Sequence, residues 1–451
     1  MQTPSIIVTN TRSGNPGRTG WNAILPSLPP ARVLDETISA DWLVIGGGFA
    51  GLAAARRLSQ LRPQDRTVLL EAVRIGDGPA GRSSGFMIDL PHDISAESYT
   101  GGLEADKKQT EMNRTALAFA AQAAAEYDFS PELFDPRGKV NVAAGDAGDR
   151  HNREYAAYLT AMGEPFTVLD AADLQRISGT DYYTGGLHTP GAAMIQPAGF
   201  VRGLAQGLSL ARAVDIFENS PVTAMVRERD VWRVETPRGV VSTPKVILAV
   251  NGHIQSFGFF RRRLIHIFLY ASMTRALRPD EVKRLGGEPT WEFVPADPLG
   301  STVRRISGQG GHRILMRNKF KYSASLEASE RSVQAAARHH DRSFAARFPL
   351  LEGVEIESRW GGRLCLSWNS VPVFGEIEPG LFAAVCQNGL GASKGILSGM
   401  LAAEYAAGVD NPYLADYLAA DPPSRLPPEP LATIGATVYL NWKEWRAGRE
   451  K

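Results

Sequence analysis

Three closely spaced glycines, Gly46, Gly48 and Gly51, are the first residues whose pattern indicates chemistry. Glycine permits a tight turn at the first position, close approach of a pyrophosphate at the second, and close helix–strand packing at the third. Glu71 follows 20 residues after Gly51, where a carboxylate can accept hydrogen bonds from a ribose diol and disfavours a 2′-phosphate. The pattern predicts a dinucleotide-binding site. Three neighbouring residues are expected to contact the same ligand: Phe49, Ala50 and Ala72.

A second segment rich in glycine, arginine and serine follows at residues 76–87. NAD alone does not need it, whereas a longer ligand does. We expect Arg82 near phosphates, and Ser83 and Ser84 along a ribityl chain and flavin edge, with Gly81 and Gly85 beside them. The segment therefore favours FAD. A plain surface loop is the alternative reading.

The elements around these residues form a β-α-β unit. An apolar run at 41–45 predicts a strand, 49–61 a helix, and 67–70 a second strand closed by the acidic residue. The helix N-terminus offers unpaired N–H groups and a partial positive charge to phosphates. A further buried strand is predicted at 245–250, and a helix at 392–407. A glycine turn without a ligand is the alternative, and this context argues against it.

Composition excludes several classes of function. The 451 residues are 43% hydrophobic and 22% charged, which is typical of soluble globular proteins. The formal charge of +1 argues against a nucleic-acid binder, and it gives no electrostatic reason to expect an anionic membrane as partner. Cys365 and Cys386 form neither a disulfide framework nor a redox dithiol motif. The eight histidines show no metal-ligand spacing. With no secretory signal or transmembrane run recognised, we expect a cytoplasmic protein.

Nearly the whole chain resembles the superfamily of FAD enzymes that contains D-amino-acid oxidase and glycine oxidase, and within it the γ-glutamylputrescine oxidoreductase branch. Five motifs in the same order carry this resemblance: ADWLVIGGGFAGLAAARRL at 40–58, AGRSSGF at 80–86, VILAVNG at 246–252, RWGGRLCLSWNSVPVFG at 359–375, and QNGLGASKGILSGMLAAEYAAG at 387–408. The C-terminal RLPPEPLATIG and NWKEWRAGRE segments also resemble that branch.

The resemblance implies an α/β fold: a Rossmann-like FAD-binding domain of the glutathione-reductase type, roofed by a β-rich α+β substrate domain. The predicted boundaries are 1–39 for a lead-in; 40–100, 196–258 and 355–420 for the FAD-binding domain; 101–195 and 259–354 for the substrate domain; and 421–451 for a C-terminal arm and helix.

The resemblance also implies further FAD contacts. Val222 would meet the adenine through its backbone, and the run at 387–395 would enter the last large helix beside the flavin pyrimidine ring. The remaining residues carried over are Asn251, Gly252, Gly361, Gly389, Leu390, Gly391 and Lys394. We expect non-covalent FAD, with Cys365 as a small core residue.

The reaction implied is oxidation of a primary or secondary amine by hydride transfer to flavin N5, giving an imine that hydrolyses to an aldehyde or ketone. The catalytic candidates are Trp360 as an aromatic wall, His266 as a proton acceptor, and Lys394 as a positive charge near the pyrimidine ring. Further aromatic candidates are Phe86, Tyr270, Trp291, Phe293 and Trp368. Candidate carboxylate anchors are Arg304, Arg305, Arg313 and Arg317. Lys319 and Lys321 are the lysines considered for a position near N5.

Two departures from the family limit the substrate prediction. Residues 388–391 replace the Ser-Gly-His-Gly of many members, so a histidine role is absent there. Residues 86–89 lack the arginine that binds the substrate carboxylate in the sarcosine oxidase branch. An amine without a carboxylate, or with one at its far end, is therefore favoured. A D-amino-acid or glycine-type oxidase and a non-catalytic FAD-binding subunit of a heteromeric dehydrogenase remain alternatives. O2 or another acceptor would reoxidise the flavin, and a homo-oligomer is allowed.

Overall fold

The computed structural model describes residues 6–9, 15–91 and 102–451. Parts of three predicted segments lie outside the described residues: 1–5 and 10–14 of the lead-in, 92–100 of the FAD-binding domain, and residue 101 of the substrate domain.

The described residues form strands and helices along their whole length. The strands are β1 Ile6–Val8, β2 Thr37–Ser39, β3 Trp42–Ile45, β4 Thr67–Leu70, β5 Phe86–Met87, β6 Phe134–Asp135, β7 Lys139–Ala143, β8 Thr167–Asp170, β9 Gly185–Thr189, β10 Ala193–Ile195, β11 Asp215–Phe217, β12 Ala224–Glu228, β13 Val231–Glu235, β14 Val240–Thr243, β15 Lys245–Leu248, β16 Leu264–Thr274, β17 Trp291–Pro295, β18 Thr302–Ile306, β19 Arg313–Tyr322, β20 Ile356–Ser367, β21 Val373–Glu378 and β22 Leu381–Val385. The α-helices are α1 Gly20–Ala23, α2 Phe49–Leu61, α3 Leu103–Glu126, α4 Asp146–Met162, α5 Ala171–Ser178, α6 Pro197–Leu210, α7 Pro279–Leu285, α8 Glu330–Arg347, α9 Ser393–Ala407, α10 Leu414–Ala419 and α11 Leu431–Arg446. Short 3-10 turns cover Pro79–Arg82, Asn251–Phe257, Pro349–Leu351 and Gly448–Glu450.

One sheet, here called the parallel sheet, has the strand order β11-β4-β3-β15-β22-β21. All its pairs are parallel except β21 with β22. Strands β3, β4 and β22 are buried at every residue, as expected of a sheet covered on both faces. Helices α2, α6 and α9 bury their apolar residues against it in one continuous core. The predicted bounds of α2 and β4 are those observed.

A second sheet, here called the roof sheet, has the order β20-β16-β19-β18-β17-β7-β9-β8. Its long strand β16, second from one edge, pairs antiparallel with both β19 and β20. Helices α8 and α11 pack against this part of the sheet. Strand β20, which the predicted boundaries assign to the FAD-binding domain, therefore lies in the roof sheet. The domain boundaries as a whole remain a prediction.

A smaller sheet of order β1-β12-β13-β14-β2 includes two strands from the predicted lead-in. Both β1 and β2 belong to it, and α1 lies between them. Trp21 of α1 is completely buried, and its indole N–H donates to the carbonyl of Ser83 at 2.9 Å. The lead-in is therefore part of the support of the 82–85 loop. The predicted fold class, an α/β FAD-binding domain with a β-rich second domain, is confirmed.

Candidate active site

A cavity of about 600 Å³ is lined by residues of both the parallel sheet and the roof sheet. Fourteen predicted cofactor-binding residues line it: Gly46, Gly48, Phe49, Ala50, Glu71, Ala72, Arg82, Ser83, Ser84, Val222, Asn251, Gly389, Leu390 and Gly391. Six predicted residues do not line it: Gly51, Gly81, Gly85, Gly252, Gly361 and Lys394. The structure thus brings together segments more than 300 residues apart in the chain.

The turn between β3 and α2 requires glycine for two separate reasons. Gly46 has a φ of +109°, which side chains rarely adopt. A Cβ atom at Gly51 would lie 1.8 Å from the carbonyl oxygen of Gly46. Gly51 therefore lets α2 pack against the turn, while Gly48 at the helix N-terminus faces the cavity.

The Glu71 carboxylate is held at the end of β4. Its Oε2 accepts the N–H of Gly47 at 2.7 Å, and its Oε1 accepts the N–H of Val73 at 3.0 Å. Burial raises the pKa of this carboxyl, although the backbone hydrogen bonds oppose the rise. Val222 lines the cavity near this end, beyond β11. A fixed carboxylate beside a glycine turn fits the ribose and pyrophosphate of a dinucleotide.

Arg82 does not have the role predicted for it. Its guanidinium donates to four backbone carbonyls, those of Pro16, Gly17, Asp77 and Gly361, at 2.9 to 3.1 Å. Since these carbonyls occupy the guanidinium, it is a clamp between distant segments rather than a phosphate ligand. Burial lowers its pKa to about 10.

The backbone carbonyls of residues 82–84 accept hydrogen bonds from three side chains that do not line the cavity. The indoles of Trp360 and Trp21 donate to the first two at 3.1 and 2.9 Å, and Arg304 donates to the third at 2.7 Å. Trp360 is completely buried and does not line the cavity. This position favours a role of Trp360 in supporting the 82–85 loop rather than in contacting a substrate.

The loop before α9, which the resemblance predicts to lie beside the flavin, lines one part of the cavity. Cys386, Asn388 and Gly389 all have positive φ, at +63°, +49° and +99°. The side chain of Asn251 accepts the N–H of Cys386 at 3.2 Å, which ties the end of β15 to this loop. The first turn of α9 follows, where unpaired N–H groups stabilise negative charge. Lys394 is half-buried in that turn and does not line the cavity.

Arg317, on roof-sheet strand β19, is a cation that lines the cavity without a hydrogen-bond acceptor among the described residues. It lies across from Thr302 on β18 and Ala271 on β16, and all three residues line the cavity. Among the described residues nothing accepts a hydrogen bond from its guanidinium, and its buried Nε has no partner. Burial lowers its pKa to about 10. Arg317 is half-buried, and its guanidinium lies 5.6 Å from the ring of Phe320. A partly desolvated cation without a counter-charge is costly, so this position favours an anionic ligand group.

The other three arginines proposed as anchors have partners elsewhere. Arg304 holds the 82–85 loop, Arg305 donates to the carbonyl of Gly286, and Arg313 pairs with Glu357. The sequence could not separate Arg317 from them, because all four lie on two adjacent strands.

The histidine that lines the cavity is His253, which sequence reasoning missed. Its Nε2 is buried with no partner among the described residues, and burial, with Arg363 and His266 nearby, lowers its pKa to about 3. His266 lies behind the cavity wall, bonded to Gln255 at 2.7 Å, so its predicted role in proton acceptance has no direct path. Its position could have indicated it, because His253 follows the end of the predicted strand β15 by only a few residues.

The remaining candidates are dispersed. Phe86 lines the cavity, and so does the thiol-bearing residue Cys365, although it is almost fully buried. Lys319 pairs with Glu444. The other aromatic candidates are elsewhere, three in buried packing and one exposed: Tyr270, Trp291, Phe293 and Trp368. Lys321 donates to a serine hydroxyl of α8.

Two kinds of feature are absent from the described residues. No group of three or more His, Cys, Asp or Glu side chains there is arranged to hold a metal ion. No helix in the described ranges has both the length and the apolar character that a bilayer crossing requires.

Comparisons with known proteins agree with this geometry. A family model described as "FAD dependent oxidoreductase" (DAO) matches residues 41–405. The chain is 26% identical over 389 residues to "Probable oxidoreductase OrdL" of Haemophilus influenzae, covering 85% of each protein. It is 24% identical to "Gamma-glutamylputrescine oxidoreductase" of Escherichia coli, covering 84% of this chain and 86% of that protein. A crystal structure of glycine oxidase from Geobacillus kaustophilus superposes with a TM-score of 0.66 at 18% identity, over 84% of this chain and 98% of the other.

Proposed function

The chain belongs to the DAO family of FAD-dependent oxidoreductases, and from that premise we propose that it oxidises an amine carrying a remote carboxylate. The observation that carries this proposal is Arg317, a half-buried residue that lines the cavity and whose guanidinium has no hydrogen-bond acceptor among the described residues. The finer substrate choice rests on this residue and on the absence of arginine at 86–89.

The chain's own residues are suited to hold FAD. Glu71 would accept the ribose hydroxyls, the Gly46–Gly51 turn would face the pyrophosphate, and the loop around Gly389 would border the flavin. FAD supplies the hydride-accepting N5 atom, which is the chemistry that no side chain offers. We expect FAD to be held without a covalent bond, so that denaturation releases it from the protein.

The charges of the cavity favour a neutral amine at the reacting position. An ammonium group is a poor hydride donor because its nitrogen lone pair is occupied. Among the described residues lining the cavity, Glu71 is the only carboxylate, whereas Arg317 and Arg363 are cationic and His253 is neutral. Nearby positive charge and burial both lower the pKa of an amine. His253 Nε2 is available to accept a hydrogen bond from it.

A matched pair of amines tests the anchor. We expect Arg317→Met to raise KM for γ-glutamylputrescine about ten- to a hundredfold, because a charge-assisted hydrogen bond is lost, and to change KM for putrescine little. Arg317→Lys should restore part of the affinity. Arg313→Gln is the control, since Arg313 lies on the same strand, pairs with Glu357 and does not line the cavity.

The same assays separate the alternatives. Equal loss with both amines in Arg317→Met would exclude Arg317 as a carboxylate anchor. If a wide panel of amines leaves the flavin oxidised under anaerobic conditions, the chain is a non-catalytic FAD-binding subunit. Peroxide released at the rate of turnover identifies O2 as acceptor, and turnover with only an artificial acceptor identifies a dehydrogenase.

A further inference from the structure

Four consecutive backbone carbonyls, those of residues 82–85, accept hydrogen bonds from residues that do not line the cavity. The indole N–H of Trp360 donates to the first at 3.1 Å, and that of Trp21 donates to the second at 2.9 Å. Arg304 donates to the third and fourth at 2.7 and 3.0 Å, and the N–H of Ile195 also donates to the fourth at 2.8 Å. The carbonyls of the 82–85 loop therefore point away from the cavity.

The backbone N–H groups of the same loop point the other way. In a trans peptide the C=O of one residue and the N–H of the next lie on opposite sides of the bond, and the peptide bonds of this loop are trans. The N–H groups of Ser83, Ser84 and Gly85 therefore lie opposite the bound carbonyls, and nothing in the described ranges accepts a hydrogen bond from them. Ser83 and Ser84 line the cavity. The loop thus offers a row of backbone donors, here called the loop N–H groups, to a ligand in the cavity.

Gly85 allows one guanidinium to reach two neighbouring carbonyls. Its φ is +87°, and a Cβ atom there would lie 2.0 Å from a guanidinium nitrogen of Arg304 and 2.4 Å from the carbonyl oxygen of Ile195. Because glycine adopts this conformation freely and leaves that space open, Arg304 can approach the loop closely. The donors that orient the loop come from three distant elements, α1, β18 and β20.

The 82–85 loop runs from the glycine turn to the roof sheet. Just before the loop, the Cβ atom of Ala80 lies 3.6 Å from where a Cβ atom of Gly48 would be. At the other end, Arg304 lies on β18, two residues after Thr302, which lines the cavity. A dinucleotide whose pyrophosphate lies at the glycine turn would extend along this loop. That direction places its flavin, rather than its phosphates, opposite the loop N–H groups.

We propose that Trp21, Trp360 and Arg304 are positioning residues that hold the carbonyls of the 82–85 loop outward, so that the loop N–H groups face the flavin and raise its reduction potential. Reduction adds electron density to the flavin ring, and fixed N–H dipoles aimed at developing negative charge stabilise it. Carbonyl oxygens in the same place would favour the oxidised state. This inference rests on the FAD binding proposed above and does not depend on which amine is the substrate.

The reduction potential of the flavin in the full holoprotein, measured against a redox dye, tests this inference without any amine. Trp360→Phe and Trp21→Phe each keep an aromatic ring but remove the indole N–H, so the carbonyl loses its donor and can turn toward the cavity. We expect each variant to lower the ratio of reduced to oxidised flavin at a fixed potential about tenfold, which is ~30 mV for two electrons. Trp232→Phe is the matched control. Trp232 is completely buried and donates its indole N–H to the carbonyl of Pro379 at 3.0 Å, and neither residue lines the cavity.

A potential that falls in the two loop variants but not in Trp232→Phe supports the proposal. An unchanged or raised potential in the loop variants, or an equal fall in the control, overturns it and leaves these tryptophans a purely structural role. A changed KM for an amine at unchanged potential also overturns it, because the loop N–H groups would then face the substrate. Flavin absorbance per protein shows which variants hold FAD, and where one loop variant has lost it the other decides. An amine panel that leaves the flavin oxidised would contradict the proposed function without altering these potentials.

Discussion

The two ends of the cavity are built from different kinds of group. At the end formed by β3, β4 and α2, the glycine turn lines the cavity, and Glu71 is the single carboxylate among the described lining residues. Elsewhere in the cavity side chains decide the chemistry: Arg317 and Arg363 come from roof-sheet strands β19 and β20, and His253 comes from the turn after β15. We call the end at β3, β4 and α2 the nucleotide end, because the proposed function places the FAD nucleotide there. Its backbone groups depend on local sequence, whereas the side chains at the proposed substrate end can change while the fold stays the same.

The largest effect expected at the nucleotide end comes from Gly51→Ala. A Cβ atom 1.8 Å from the carbonyl of Gly46 forces α2 away from the turn, so we expect flavin binding to be lost and the protein to be strongly destabilised. Flavin absorbance per protein and thermal unfolding measure both. The matched control is Gly435→Ala, where a Cβ atom meets nothing within 4 Å. Retention of flavin in Gly51→Ala would contradict the packing role of Gly51.

A smaller effect is expected when the charge of the nucleotide end is removed. Glu71→Gln keeps an acceptor for Gly47 but loses the carboxylate, so FAD affinity should fall about ten- to a hundredfold. Fluorescence titration of the apoprotein with FAD gives the dissociation constant. Asp215→Asn serves as the control, because that acid pairs with Arg32 and Arg66 and does not line the cavity. An unchanged dissociation constant for Glu71→Gln would mean that the carboxylate is not a ribose acceptor.

The smallest expected effect is a pH dependence of protein stability caused by Glu292, a buried residue of roof-sheet strand β17. Glu292 is buried 3.9 Å from Arg304, neither of its oxygens accepts a hydrogen bond, and burial raises its pKa to about 8. A carboxyl whose pKa is higher in the folded than in the unfolded state adds to the free energy of unfolding at low pH. For Glu292 this contribution is full below about pH 4.5 and is lost as the pH rises through about 8. The melting temperature should therefore decline across that window, and Glu292→Gln should flatten the decline.

Glu281 provides a control of opposite sign for this pH dependence. Its hydrogen bonds with Arg275 lower its pKa to about 2, so its contribution is full above about pH 4.5 and is lost as the pH falls from there through about 2. Glu281→Gln should therefore leave the slope between pH 5 and 8 unchanged. An equal change in slope for both variants would show that Glu292 does not titrate as described.

The sequence predicted the nucleotide end well because its residues lie close together in the chain. The helix expected at 49–61 has those bounds, and the helix expected at 392–407 begins one residue later. Of the predicted FAD contacts, Gly51, Gly81 and Gly85 instead pack behind the cavity wall. A glycine motif indicates which segment meets the ligand, but each glycine's direction depends on the backbone it approaches.

The roof was predicted poorly because its roles depend on long-range partners. Trp360 and His266 have suitable chemistry, but the first holds the carbonyl of Arg82 and the second bonds Gln255 behind the wall. Strand alternation alone did not show which of four arginines faces the cavity. His253 was missed because no motif marks a lone histidine.

The sequence by itself therefore determined the family, the cofactor and the βαβ unit that binds its nucleotide part, since the spacing of Gly46, Gly48, Gly51 and Glu71 specifies local geometry. The tertiary structure decided which charged group faces the cavity without a hydrogen-bond acceptor among the described residues, and this group is Arg317. Whether a buried or exposed group has a partner depends on residues hundreds of positions away. That property exists only after the chain has folded.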